Sequence, residues 1–243
     1  MPKLEPYDKK LPYSYTLGVF PSLHLLDARP EIVKRLLLHP EGERNEGVKK
    51  LREKCAALNI REEYAEKVLR REAKKDNCHA ALVFDKYEDT LSPDLPHVVL
   101  CQISDDGNLG TALRALLGFG YHDVAVVRPC VDVFEPHVVR ASMGAMFHMR
   151  VKTYDDFAQY RTEFPEHALY PFMLDASIPL EDAAKHHAEK YTLVFGNEQT
   201  GLPAAFAHMG QAVRIDQTEE IDSLNLAVAV SVGAYTFKHR GGI

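Results

Sequence analysis

The sequence predicts an α/β protein in which a small α/β layer domain over residues 1–95 precedes a parallel-sheet domain over residues 96–243. Three observations lead there. Short apolar runs of strand length alternate with segments of helical period along the chain, the pattern of a layered α/β architecture. The strands of the second part, such as Val98-Val99-Leu100, are apolar almost without interruption, as strands covered on both faces of a parallel sheet are. Between the parts, residues 85–96 are polar and include Pro93 and Pro96, which marks a linker.

In chain order, residues 15–20 read as a strand, 23–27 as a short helix and 32–38 as a second strand. Leu51, Cys55 and Leu58 share one face of a helix over 47–58, residues 65–75 look similar, and 79–84 is a buried strand. In the second part, strands fall at 97–103, 123–127, 168–174 and 191–195, with a fifth near 212–215. Helices fall near 110–118, 138–145, 154–161, 183–189 and 224–238. The chain shows neither an internal repeat nor a low-complexity tract.

Composition excludes several classes. With 46% hydrophobic and 26% charged residues the chain is not disordered, and four cysteines in 243 residues do not make a disulfide scaffold. Cys55, Cys78, Cys101 and Cys130 stand 23, 23 and 29 residues apart with no C-x-x-C pair, which suits thiols in a reducing compartment and not a zinc site. No apolar run approaches the roughly 18 residues of a membrane span, and the first residues lack a signal-peptide core. The expectation is a cytosolic protein.

A net charge of −6 argues at first against nucleic acid. The sum hides two unlike parts: residues 1–95 carry 18 Lys+Arg against 17 Asp+Glu, and residues 96–243 carry 11 against 18. Within the first part, residues 31–76 hold 13 basic and 10 acidic side chains, with basic clusters at 49–54 and 70–75. Paired at i,i+4, such clusters form a solvated helix face; the functional alternative is a modest phosphate-facing surface.

Three loops carry the chemistry. The first, 104–114, follows a strand, contains Gly107, Asn108 and Gly110, and opens a helix whose free N–H groups suit an anionic or nucleotide ligand. A dinucleotide fingerprint needs a third glycine here, so nicotinamide binding is only a competitor, even with Arg128 after the next strand to meet a 2′-phosphate. The second, 194–203, sets Gly196 and Gly201 around Asn197-Glu198 in a tight turn that lets backbone amides approach a ligand; the plain alternative is that Glu198 caps the next helix. The third, 215–231, offers Asp222 or Ser223 as the N-cap of an Ala-rich terminal helix. A buried terminal helix explains everything in it except the polar Asn225.

Together, Asn108-x-Gly110-x-x-x-Arg114, Gly196-Asn197-Glu198-x-x-Gly201-Leu202 and Ser223-Leu224-Asn225, in that order and at the ends of successive strands, resemble the SpoU (TrmH-type) branch of the SPOUT RNA methyltransferases. Residues 140–148, from Arg140 through Ser142 and Gly144 to His148, resemble a fourth family signature between the first two. This resemblance covers residues 97 to about 240. The first 95 residues look like the small ribosomal-protein-type α/β substrate-binding domain of many members, with Asn77-Cys78-His79-Ala80-Ala81 standing at a His-centred turn.

The resemblance implies a deep trefoil knot in the C-terminal domain, a homodimer that completes the site, and S-adenosylmethionine as cofactor. The methyl acceptor would be a ribose 2′-hydroxyl of ribosomal or transfer RNA, bound through the N-terminal domain and the knot face. It further implies that Phe195, Gly196, Asn197, Gly201, Ile215, Ser223, Leu224 and Asn225 hold the cofactor. Arg114, Asn108, Glu198, Ser223 and Asn225 would be the catalytic set, with Arg114 leading. Arginine stays protonated in proteins, so its expected part is to bind the phosphate beside the target ribose and favour the developing alkoxide, while Asn108 and Glu198 orient it.

Two departures from the family pattern bear on the cofactor. Ile215-Asp216-Gln217 stands where members often have Ile-Pro-Met, and Asp216, Glu219, Glu220 and Asp222 put four carboxylates beside the expected cofactor edge. Nine of the twelve histidines follow residue 95, including His186-His187, but adjacent histidines face different sides of a helix and no metal is expected. Ser142 and Ser223 lack a Gly-x-Ser-x-Gly context for a hydrolase nucleophile. The alternative from another class is a non-catalytic RNA-binding or ribosome-assembly factor that retains the knotted fold.

Overall fold

The computed structural model describes residues 4–73 and 78–240, Arg240 by its backbone alone. Its elements run β1 (Tyr13–Tyr15), α1 (Val19–Ala28), β2 (Val33–Leu38), α2 (Glu46–Ala57), β3 (Arg61–Tyr64), α3 (Glu66–Ala73), β4 (Ala80–Asp85), β5 (His97–Cys101), α4 (Asp106–Gly118), β6 (Asp123–Val127), α5 (Pro136–Ala141) and β7 (Arg150–Tyr154). They continue α6 (Phe157–Glu163), β8 (Ala168–Pro171), β9 (Ile178–Pro179), α7 (Leu180–Lys185), β10 (Tyr191–Phe195), β11 (Val213–Arg214) and α8 (Leu226–Arg240). Among the described residues no helix is long and apolar enough to cross a membrane.

Contacts divide the chain into two compact units: Met1–Tyr87 with Asp132–His148, and Glu88–Val131 with Met149–Ile243. The first holds a four-stranded sheet in the order β1-β4-β2-β3, in which β4 runs antiparallel to β1 and β2 while β3 lies parallel to β2 at the edge. Tyr15, Leu17, Leu37, Leu69, Ala81 and Val83 pack into its core. Asp132–His148 joins this unit through specific bonds. The Tyr7 hydroxyl and Lys86 Nζ both donate to Asp132 Oδ2, at 2.5 and 2.9 Å, and the Ser14 hydroxyl donates to the Phe134 carbonyl.

The second unit holds a five-stranded, wholly parallel sheet in the order β7-β6-β5-β10-β8. From β5 the chain builds outward to β6 and β7, then returns to the other side to lay down β8 and, between β8 and β5, β10. The strand order therefore reverses between β5 and β10, and in open parallel sheets the crevice outside the carboxyl ends at such a point is where ligands bind. All five residues of each of β5, β6 and β10 are buried, which is why they read as continuous apolar runs.

At the opposite, amino end of this sheet lies a buried polar network. His97 Nδ1 meets the Tyr160 hydroxyl at 2.9 Å and His97 Nε2 donates to the Ser92 carbonyl at 2.7 Å. Tyr160 meets Thr192 Oγ1 at 2.6 Å, and His167 Nδ1 reaches the same hydroxyl at 3.1 Å. Fully buried Asp123 accepts Arg150 Nε at 2.6 Å and the Ser92 amide at 2.8 Å. Burial lowers His97 from 6.5 to about 4 and lowers His167 as well.

Several expectations are corrected. The stretch 85–96 is not a free linker: Leu91 sits in the core of the second unit, and Asp89 and Ser92 bond to Val151 and Asp123. The apolar run 15–20 is not one strand, because Val19 opens α1 and Phe20, 64% exposed, faces outward from its first turn. The helix expected from Tyr154 starts at Phe157, where the Asp156 carboxylate caps it by accepting the Gln159 amide, and Tyr154 ends a strand. The helix expected over 183–189 lies at Leu180–Lys185 and ends before the histidine pair. The strands β3, β7 and β9 were not expected, since β3 and β7 are edge strands with charged residues where alternation would need apolar ones. Lys74, Lys75 and Asn77, part of the basic cluster and of the His-centred turn, lie outside the described residues.

Candidate functional site

The carboxyl ends of β8 and β10, on one side of the point of strand reversal, open into a cleft of about 440 Å³ within the second unit. Its floor is aromatic. Phe172 and Phe195 stack with ring centroids 4.2 Å apart and planes 22° from parallel, and Leu202 and Leu226 extend the apolar surface. Its rim is polar and includes Asn197, Glu198, Gln217, Asp222 and Ser223. An apolar, flat-floored cleft with a few converging polar groups suits a planar heterocycle carrying polar substituents.

The loop after β10 is shaped by two glycines. Gly196 packs so tightly on the returning chain that a Cβ there would lie 2.3 Å from the Gly201 carbonyl carbon, and Gly201 itself takes φ 66°. Between them Asn197 organises the turn. Its Oδ1 accepts the Gln199 and Thr200 amides at 2.9 and 3.1 Å, and its Nδ2 donates to the Gln102 carbonyl at 2.7 Å. Asn197 thus braces the turn itself, and the expected cap by Glu198 is not formed: the next helical turn, Ala204–His208, has Pro203 at its N-cap and no side-chain cap.

Glu198 is left to reach the neighbouring loop. Its Oε2 accepts the Ser104 amide and hydroxyl at 3.3 and 3.1 Å, and its Oε1 accepts Asn108 Nδ2 at 3.3 Å. Asn108 lies in the first turn of α4, whose N-cap Asp105 accepts the Asn108 amide at 2.7 Å. Asn108 Oδ1 in turn accepts Asn225 Nδ2 at 2.9 Å. Asn225 Oδ1 accepts the Ala227 and Val228 amides at 2.9 and 3.4 Å. Asn225, and not Asp222 or Ser223, is thus the N-cap of α8, which accounts for a polar residue at the start of an apolar helix. The chain Ser104, Glu198, Asn108, Asn225 ties the three expected loops together.

Of the expected site residues, Phe195, Gly196, Asn197, Glu198, Gly201, Ile215, Ser223 and Leu224 all line the cleft. Asn108 and Asn225 stand beside it in the hydrogen-bonded chain. Arg114 does not join them: it is exposed on α4, and among the described residues it makes no hydrogen bond or ion pair. The expectation that Asn108 and Glu198 orient Arg114 is corrected accordingly, since their side chains bond to each other, to Ser104 and to Asn225.

The acidic departure is also milder than its sequence suggests. Asp216 accepts Arg214 Nε at 2.9 Å, and of the four carboxylates only Asp222 lines the cleft. Gln217 points its amide to the Ile221 and Asp222 carbonyls, at 3.5 and 3.3 Å, bracing the turn before α8. Sequence reasoning missed Ser104, Phe172 and Gln102. Gln102 has φ 59°, a left-handed conformation that turns its carbonyl toward Asn197, and no residue pattern announces it.

A parallel sheet with a cleft over the carboxyl ends of two neighbouring strands, lined by Gly-Asn-Glu and Ser-Leu loops, defines the class of this protein, and comparison with known proteins agrees. Over residues 96–235 the chain matches the SpoU rRNA Methylase family, and it belongs to that family, within the SPOUT superfamily. It is 41% identical over 74 residues to the human mitochondrial rRNA methyltransferase 3, a match covering 30% of this chain and 17% of that protein. An uncharacterized tRNA/rRNA methyltransferase of Synechocystis is 30% identical over 168 residues, covering 66% of this chain and 59% of that one. The chain thus matches less than two thirds of the length of either relative. Among solved structures, the AdoMet-bound rRNA methyltransferase of Sinorhizobium meliloti has the same fold, with a TM-score of 0.75 at 24% identity over 93% of this chain and 87% of that one.

Proposed function

We propose that the protein is an S-adenosylmethionine-dependent methyltransferase acting on a ribose 2′-hydroxyl of ribosomal or transfer RNA. The observation that carries this reading is the bonded chain Ser104–Glu198–Asn108–Asn225 beside an aromatic-floored cleft over the carboxyl ends of β8 and β10. The cleft fits the cofactor: Phe172 and Phe195 offer a flat surface to an adenine, and the tight Gly196–Gly201 turn brings backbone within reach of polar groups. Phe195, Gly196, Asn197, Gly201, Ile215, Ser223 and Leu224 would hold it, with Asn225 fixing the turn from beneath. When bound, the cofactor supplies a methyl group on a sulfonium.

The chain's own residues supply position and charge. Glu198 and Asn108 hold the loops in register, so that the acceptor oxygen lies in line with the methyl group; such positioning is worth on the order of 7–11 kcal/mol of a barrier. Arg114, with its guanidinium uncommitted, binds the phosphate next to the target ribose through its planar fork and favours the alkoxide that develops as the hydroxyl proton leaves. Because Arg114 stands outside the cleft of its own chain, a homodimer that brings it to the site of a second copy belongs to this reading. Val228, Val232 and Tyr235, 47, 37 and 54% exposed along one side of α8, form an apolar stripe suited to such a contact. A C-terminal knot, RNA binding by the first unit and a cytoplasmic location complete the proposal.

The test is transfer of tritiated methyl groups into cellular RNA by the purified chain, with titration calorimetry for the cofactor. Ribose-bound label that disappears in Asn108→Ala supports the reading. Cofactor and RNA binding without transfer would instead identify a non-catalytic assembly factor.

A further inference from the structure

We propose that His39, Glu41 and His79 of the first unit form a binding site for a zinc ion. The two histidines come together through strand pairing. In the antiparallel ladder of β2 and β4, Leu37 faces Ala81 and Leu38 faces Ala80, and the next pair outward is His39 and His79, whose backbones continue the ladder with the His39 amide donating to the His79 carbonyl at 2.9 Å. Facing residues of a ladder project to the same side, so the imidazoles become neighbours, with centroids 6.1 Å apart and planes at 67°. The turn Pro40–Gly42 then folds back over them. Gly42 fits against His79 so closely that a Cβ would lie 2.7 Å from the His79 Cβ, and this approach brings in Glu41.

One nitrogen from each imidazole and one carboxylate oxygen of Glu41 lie within 4.8 Å of one another. Small side-chain rotations close that spacing onto an ion with bonds of about 2.0–2.2 Å. The proton pattern favours a ligand role. His39 Nδ1 accepts the Glu41 amide in a long 3.2 Å contact, which puts its lone pair on Nδ1, and Nε2 faces the Glu66 carboxylate at 3.8 Å. A carboxylate behind the far nitrogen is the arrangement that orients metal-binding histidines. Replacing the 3.2 Å contact costs little, because Glu41 is exposed and its amide can turn to water. His79 supplies the independent observation: its Nδ1 is shut off from solvent and has no hydrogen-bond partner among the described residues. Buried polar atoms are rarely left so, and a bound cation would satisfy this one.

Two imidazoles, one carboxylate and a position open to solvent beside Glu41 make a zinc donor set. The ion would clamp the 40–42 turn to the end of β4. Histidine spacing along the sequence gave no sign of the pair, because strand pairing alone unites the two.

The experiment is calorimetric titration of the full, EDTA-stripped chain with Zn²⁺, together with thermal melting and the visible spectrum of the Co²⁺ form. We expect one zinc per chain, a higher melting temperature with zinc, and a Co²⁺ spectrum showing nitrogen ligation. Glu66→Gln should weaken binding about tenfold, and Glu41→Gln should weaken it further while the circular dichroism of this exposed-site variant stays native. No zinc uptake by folded wild-type chain would overturn the proposal, as would uptake unchanged in both Glu41→Gln and His39→Ala.

Discussion

The five-stranded sheet carries a polar network at each end, and the two are built on opposite principles. At the amino end, His97, Tyr160, Thr192 and His167 are buried and bonded to one another and to the chain before β5. At the carboxyl end, Glu198, Asn108 and Asn225 are part-exposed, and their bonds join three separate loops around an open cleft. Burial makes the first network a matter of stability, since any atom left unpaired there loses solvation it cannot regain. Exposure makes the second a poor source of stability and a good frame for a ligand. One sheet thus separates the groups that hold it together from those available for chemistry.

Substitutions at the two ends should therefore fail differently. The largest effect expected is at Arg114: Arg114→Lys should reduce RNA methylation on the order of 10²–10³-fold with an unchanged melting temperature, because the side chain is exposed and unengaged among the described residues. At the amino end, Tyr160→Phe orphans His97 Nδ1 and one bond of Thr192, and chemical denaturation should show a loss of about 1–3 kcal/mol while cofactor affinity holds.

The amino-end network also sets a pH dependence. His97 titrates near 6.5 when unfolded and is lowered to about 4 by burial in the folded chain. Between those values the unfolded chain binds the extra proton, so stability is complete above about pH 6.5 and falls as the pH drops toward 4. Melting curves across this range should show the decline, and His97→Gln should flatten it. The smallest effect belongs to the cap: Asn225→Ala should cost about 1 kcal/mol of stability. The same change releases Asn108, so its effect on methylation should exceed its effect on melting, which a paired assay would reveal.

How much of this was legible in the sequence follows the same division. The parallel sheet was, because strands buried on both faces are apolar throughout, and the boundaries of β6 and β10 came out residue for residue. Edge strands β3 and β7 were not, since Arg61, Glu62, Arg150 and Lys152 mask any alternation. The cleft lining was legible from ordered loop motifs, including Gly196, Glu198 and Ser223. The partners of those residues were not, because a bond such as Asn225 to Asn108 spans positions that only the fold unites. The stretch after Tyr87 looked like a linker by its prolines and charges, yet Leu91 packs in the core and Ser92 bonds to Asp123 and His97, contacts that composition does not encode.

Methyl transfer itself is tested most directly by incubating the purified chain with tritiated S-adenosylmethionine and unmodified RNA, then digesting to nucleosides. Label recovered as 2′-O-methylnucleoside from wild type, and lost with Arg114→Lys at unchanged cofactor affinity, is the expected result. Label in a base, or none from wild-type chain that binds both cofactor and RNA, would contradict it.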